Sequence, residues 1–170
     1  KPRREEIDAK YKWKLEDMYQ SLDLWEKDFE KVKSLLPKIE EYRGRLNNGN
    51  VLLSVLKLSD EISLICEKLY VYARMKRDED NTNPDSQSIA DRAMGLYAKV
   101  GAALSFIVPE ITSIPDETLR EYLVNVPALK EYEFYLKEIL RQKKHVLSDK
   151  EEEIEKNLGE RFTKNLDEAT

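Results

Sequence analysis

The stretch that decides the fold runs from Val51 to Asp80: VLLSVLKLSDEISLICEKLYVYARMKRDED. Leu52, Leu56, Leu58, Ile62, Ile65, Leu69, Tyr72 and Met75 recur mostly in three- and four-residue steps, the spacing that lines one face of a 3.6-residue helix. Leu53, Val55, Leu64, Cys66 and Val71 widen that stripe, and a helix apolar over most of its circumference is packed on several sides. The stretch is therefore predicted as a central helix about 40 Å long, which is long for a globular protein. It ends where Asp78-Glu79-Asp80-Asn81-Thr82-Asn83-Pro84 brings only polar residues and turn formers.

Around this helix stands a chain of 170 residues, 41% hydrophobic and 37% charged. That size suits one domain with a real core, and that apolar share is too high for a disordered chain. Five Gly and six Pro leave little turn material for a many-stranded sheet. No run of about eighteen apolar residues is present, so no membrane span is expected. No apolar segment follows the basic start at Lys1, Arg3 and Arg4, so no secretory signal is expected either. The chain does not open on Met, which fits a processed or excised chain. A net charge of −5 argues against nucleic acid as the main partner, because phosphate binding needs a concentrated cationic face. The single Cys excludes an internal disulfide and fits a reducing, cytoplasmic compartment.

Towards the N-terminus, residues 1–20 are dense in large side chains without a clean period, and read as an arm that docks on the bundle, with Trp13 plugging a groove. A helix is predicted to start after Asp23, where Asp23 and Glu26 make a capping-box pattern. Trp25, Phe29, Val32, Leu36, Ile39, Tyr42 and Leu46 form its apolar series, and Pro37 within it should kink it. Asn47-Asn48-Gly49-Asn50 closes this helix, and Asn50 can cap the central one.

Beyond the central helix, Asn83 followed by Pro84 reads as a cap and a first-turn proline. The next helix carries Ile89, Ala93, Leu96, Val100, Leu104 and Ile107. Its small residues, Gly95 and Gly101 among them, suggest close packing of a neighbour, and Pro109 is predicted to stop it. A short turn with Ile111 and Ile114 leads to a helix from Pro115, and Pro127 opens another with Leu129, Tyr132, Tyr135, Leu136, Ile139 and Leu140. Residues 143–147 read as a linker, and Ser148-Asp149-Lys150-Glu151 as a capping box that starts a last helix with Ile154 and Leu158. No strand is needed. The fold class is all-α, an antiparallel bundle of about six helices with long central helices, a single helical domain over residues 21–170 behind the 1–20 arm.

Catalytic apparatus is not visible. A zinc site of the His-Glu-x-x-His type needs two histidines on one helical face, and His145 is the sole histidine. No phosphate loop or nucleophile elbow is found. Cys66 falls on the apolar side of its helix as a core residue. Glu151-Glu152-Glu153 reads as a solvated face at a helix N-terminus. Of nine Tyr, Tyr70, Tyr72, Tyr122, Tyr132 and Tyr135 lie near Lys or Arg; they either straddle core and surface or form a peptide-contacting face. No catalytic, cofactor-binding or metal residue is assigned in this chain.

CEKLYVYARMKRDED at 66–80, with YKWKLEDMY at 11–19, WEKDFEKVKSLLPKIEEYRGRL at 25–46, SFIVPEITSIPDETLREYL at 105–123 and LKEYEFYLKEILRQKKHVLSDKEEE at 129–153, resembles the N-terminal region of oligoendopeptidase F, a zinc metallopeptidase of the thimet-oligopeptidase-like group. The likeness runs over about residues 7–158, and departs at His145-Val146-Leu147, where a Pro is expected, and after Gly159. The resemblance implies a helical wall of a channel that admits short peptides for hydrolysis. It implies zinc held by a His-Glu-x-x-His motif and a further Glu in a catalytic region outside this chain. That catalytic region and short peptides would be the partners. The alternative is a stand-alone helical module that binds peptides or a protein without enzymatic activity.

Overall fold

The computed structural model describes residues 15–169. Most of the expected arm, Trp13 included, lies outside them. Among the described residues the chain is helical throughout, with no strand: α1 (Leu15–Met18), α2 (Leu22–Glu40), α3 (Gly49–Glu79), α4 (Pro84–Leu104), α5 (Ile107–Ser113), α6 (Asp116–Asn125), a 3-10 turn (Pro127–Tyr132) and α7 (Glu133–Ala169). They fall into two compact units, one ending at Ile107 and one beginning at Val108.

In the first unit α2, α3 and α4 each pack on the other two, an antiparallel three-helix bundle. The central helix is α3, with 31 residues and a length of about 45 Å. It sends Leu52, Val55, Leu56, Ile62, Cys66, Leu69, Tyr72 and Ala73 into the core. The wider stripe expected from the sequence is only partly buried: Leu64 is 71% exposed and Val71 37%. Among the described residues α2 and α4, with the short α1, cover one broad face of α3 and leave Leu64 outside it.

The bundle is pinned at Trp25, which is fully buried. Its indole N–H donates to the Leu69 carbonyl at 3.1 Å, tying α2 to α3, and its ring stacks on Phe29 at 5.2 Å. Arg92 of α4 lies over both rings and forms a bidentate pair with Glu26 at 2.5 and 2.7 Å. Hydrogen bonding to that guanidinium lowers the Glu26 carboxyl below its ordinary pKa. At the described end of the arm, Tyr19 is buried, edge-on to Tyr72, and donates to Asp28 Oδ2 at 2.7 Å. Burial, then the Asp28 hydrogen bond, push its phenol pKa up.

Two of the three caps differ from the sequence reading, each by two residues. Ser21, in extended conformation, caps α2 through its Oγ, so Asp23 lies inside the first turn. Asn48, not Asn50, caps α3, its Oδ1 accepting from Val51 N at 2.9 Å. Asn83 caps α4 with Pro84 in the first turn, as the sequence indicates. Pro37 lies within α2, which runs only three residues further. Leu35 is buried in α2 and Leu36 only half-buried. The turn out of α2 needs Gly44, whose φ of 76° disfavours any residue with a Cβ.

Pro109 does not stop α4. That helix has already ended at Leu104, and Pro109 sits in the first turn of α5, where its missing N–H costs nothing. The span 84–113 is long and apolar enough to cross a membrane by length and composition. A bundle helix passes the same test, and α4 turns Ile89, Ala93, Leu96, Val100 and Ala103 into the core.

The second unit is built on Ile111, Ile114, Leu119, Leu129, Leu136 and Ile139, all buried. The 3-10 turn packs on both α6 and α7. Here the sequence reading fails in one place: residues 143–147 are not a linker and no helix starts at Ser148. A single helix, α7, runs 37 residues from Glu133 to Ala169. Lys143-Lys144-His145-Val146-Leu147 contains no Gly or Pro, and a capping box caps nothing unless the chain before it leaves the helix.

Candidate functional site

The surface most able to receive another molecule is the open side of α3 and α4. A groove of about 550 Å³ runs between them, lined by Cys66, Tyr70, Val71, Tyr97, Val100, Gly101 and their neighbours. The Tyr70 and Tyr97 rings stand 5.3 Å apart at its mouth, and the Arg74 guanidinium lies 5.7 Å from the Tyr70 ring. Exposed Leu64 and Met94 extend the apolar surface beyond it. Such a surface, part aromatic and part aliphatic, suits an extended peptide or another protein face.

Both helices supply this face through a second apolar stripe behind the buried one. On α4, Ala90, Ala93 and Ala103 point inward and allow close helix approach, as the sequence indicates. Gly95 and Gly101 do the reverse: a Cβ at either would meet nothing within 4 Å. Gly101 therefore widens the groove rather than tightening a contact. Gly101→Ala is expected to raise stability by about 0.4–1 kcal/mol, since the added methyl meets no clash and narrows the unfolded ensemble; a thermal melt checks it.

The groove holds no reactive apparatus. Burial pushes the Cys66 thiol pKa up, which disfavours the nucleophilic thiolate. Among the described residues no three His, Cys, Asp or Glu side chains are grouped to hold a metal ion. His145 is exposed within α7, neither in a linker nor at a helix end. Glu151, Glu152 and Glu153 are exposed in the same helix, eighteen or more residues past its start, so no helix N-terminus favours them. The described residues do not supply the donor set for zinc.

Of the tyrosines singled out by sequence, Tyr70 reaches the groove, Tyr72 is buried against Tyr19, and Tyr135 lies exposed on α7. Tyr97 belongs to the groove and was missed. Its signal in the sequence is the series Met94, Tyr97, Gly101, offset by one residue from the buried Ala93, Leu96, Val100.

Comparison with known proteins gives one consistent answer. The family described as Oligopeptidase F matches residues 110–164. Oligopeptidase PepF of Bacillus subtilis is 36% identical over 154 residues, 90% of this chain and 23% of that protein. Group B oligopeptidase PepB of Streptococcus agalactiae is 31% identical over 94% of this chain and 27% of its own length. The crystal structure of oligoendopeptidase-F from Enterococcus faecium superposes with a TM-score of 0.68 at 28% identity, over 74% of this chain and 25% of that one. The chain thus spans about a quarter of the length of the relatives it matches. By sequence and by fold, it corresponds to the N-terminal helical domain of the oligoendopeptidase F family.

Proposed function

We propose that this chain is the non-catalytic part of a cytoplasmic zinc metalloendopeptidase that degrades short peptides, and that it forms one wall of the channel admitting them. The observation that carries the reading is the match of nearly the whole chain to about a quarter of peptidases such as PepF. The open α3/α4 face supports it: a wall must present surface either to peptide or to the rest of the enzyme, and Leu64, Met94 and Tyr97 lie uncovered here. Zinc, when bound elsewhere in the whole enzyme, would polarise the attacking water. This chain would contribute shape and an aromatic surface, and exclude folded proteins.

The test is hydrolysis of a short fluorogenic peptide by the purified chain, with and without added zinc. No turnover should follow the chain through successive columns. Activity that co-purifies with it and responds to zinc overturns the reading.

The Tyr70–Tyr97 groove also favours a second reading, a stand-alone module that binds peptides without cutting them. Calorimetric titration with a mixed peptide library separates the two. Heat lost on Tyr97→Ala would favour the module, and no heat would remove its main support.

A further inference from the structure

One side of α3 meets the N-terminal arm over part of its length and is bare over the rest. Leu64, Lys68, Val71 and Met75 follow one another in steps of four, three and four, and so share that side. Lys68 is engaged: its ammonium lies 4.4 Å from the Tyr19 ring, which is edge-on to Tyr72 and hydrogen-bonded to Asp28. Met75 is half-buried, and α1 packs on α3. Leu64 and Val71, on either side of Lys68, are 71% and 37% exposed. They make a small apolar patch, about the size of one aromatic ring, at the edge of a contact the arm already makes.

We propose that this chain's own segment Lys10-Tyr11-Lys12-Trp13-Lys14, which lies outside the described residues, covers the patch, with the Trp13 ring between Leu64 and Val71. The described chain begins at Leu15, four residues before Tyr19 is fastened beside Lys68. Four helical residues and two extended ones span about 13 Å, whereas Leu64 and Val71 lie about 6 Å and 4.5 Å from Lys68 along the helix axis, so Trp13 reaches both. The tether also gives Trp13 a local concentration of about a millimolar or more, which a peptide in solution does not match. Tyr11 and Trp13 alternate with Lys, so an extended segment turns both rings to the patch and leaves Lys12 and Lys14 in water at its edge. There Glu67, exposed and within one turn of both Leu64 and Val71, presents a carboxylate to them. Val71 also lines the α3/α4 groove, so the seated Trp13 adds a ring to that side of it, while Met94 and Tyr97 on α4 stay open.

Hydroxyl-radical footprinting of the full chain, read residue by residue by mass spectrometry, tests this. Trp13 docked about nine-tenths of the time should be oxidised about tenfold more slowly than in the free peptide 1–14. Trp13→Ala should speed oxidation of Leu64 and Val71, and Leu64→Lys should bring Trp13 to the rate of the free peptide. Circular dichroism checks that both variants keep their helices. A photo-crosslinking side chain at position 64 should join residues 10–14, a readout that leaves the arm unaltered. Trp13 oxidised as fast as in the free peptide overturns the proposal and leaves the patch to a bound peptide or to another part of a longer protein. Protection of Trp13 that ignores Leu64→Lys overturns it too, since the arm then docks elsewhere.

Discussion

Trp25→Ala should cost the first unit about 3–5 kcal/mol, the range for truncating a large buried aromatic. Domains are commonly stable by only about 5–15 kcal/mol, so this variant is expected to unfold at much lower urea than the parent chain, or to be unfolded without it. Three losses coincide at one residue. The fully buried ring leaves a cavity, Phe29 loses its stacking partner, and Arg92 loses one of the two rings beneath it. Trp25→Phe separates packing from hydrogen bonding. It keeps a ring but removes the N–H donated to Leu69. Leu69 lies within α3, so its carbonyl keeps a helical partner, and the lost hydrogen bond should cost only about 1 kcal/mol. Urea unfolding followed by circular dichroism measures both. Equal losses for the two variants would mean that the hydrogen bond, not the packing, holds α2 on α3.

Val146→Pro should break α7, at about 3 kcal/mol for a proline in a helix interior. Proline at 146 cannot donate to the Gln142 carbonyl, and its ring meets that carbonyl. Residues 147–169 are all exposed and lean on the continuity of the helix, so helical ellipticity should fall along with stability. Were residues 143–147 a linker, as their sequence suggests, the same substitution would be nearly silent. Far-ultraviolet circular dichroism of the variant beside the parent chain gives the answer directly.

The contrast between α3 and α7 marks how far the sequence can be read. Local signals place the start of α4 to the residue and that of α3 to within two, because Asn83 with Pro84, and the Asn47–Asn50 cluster, act within one turn of themselves. The core of the first unit follows from period alone: Trp25, Phe29, Val32 and Ile39 on α2 are all buried. In α7 the same kind of signal misleads. Ser148 and Glu151 have capping chemistry, but Lys143 to Leu147 have no reason to leave the helix, and a cap without a break is inert. The groove was half legible. Tyr70 was visible as an aromatic near Arg74, yet whether an apolar residue is buried depends on what is laid against it. Leu64 and Val71 have the composition of core and the exposure of surface, since nothing among the described residues covers them.

Cys66 turns the first unit into its own stability gauge. It is the chain's one thiol, 2% exposed, and burial suppresses its thiolate form. It borders the α3/α4 groove but is so little exposed that alkylating reagents reach it chiefly through opening of the α3 core. Where reclosing outpaces reaction, the labelling rate divided by that of a free thiol gives the fraction of time the core spends open. One mass measurement per time point would rank every variant of this bundle under native conditions, without a dye, an added label or denaturant.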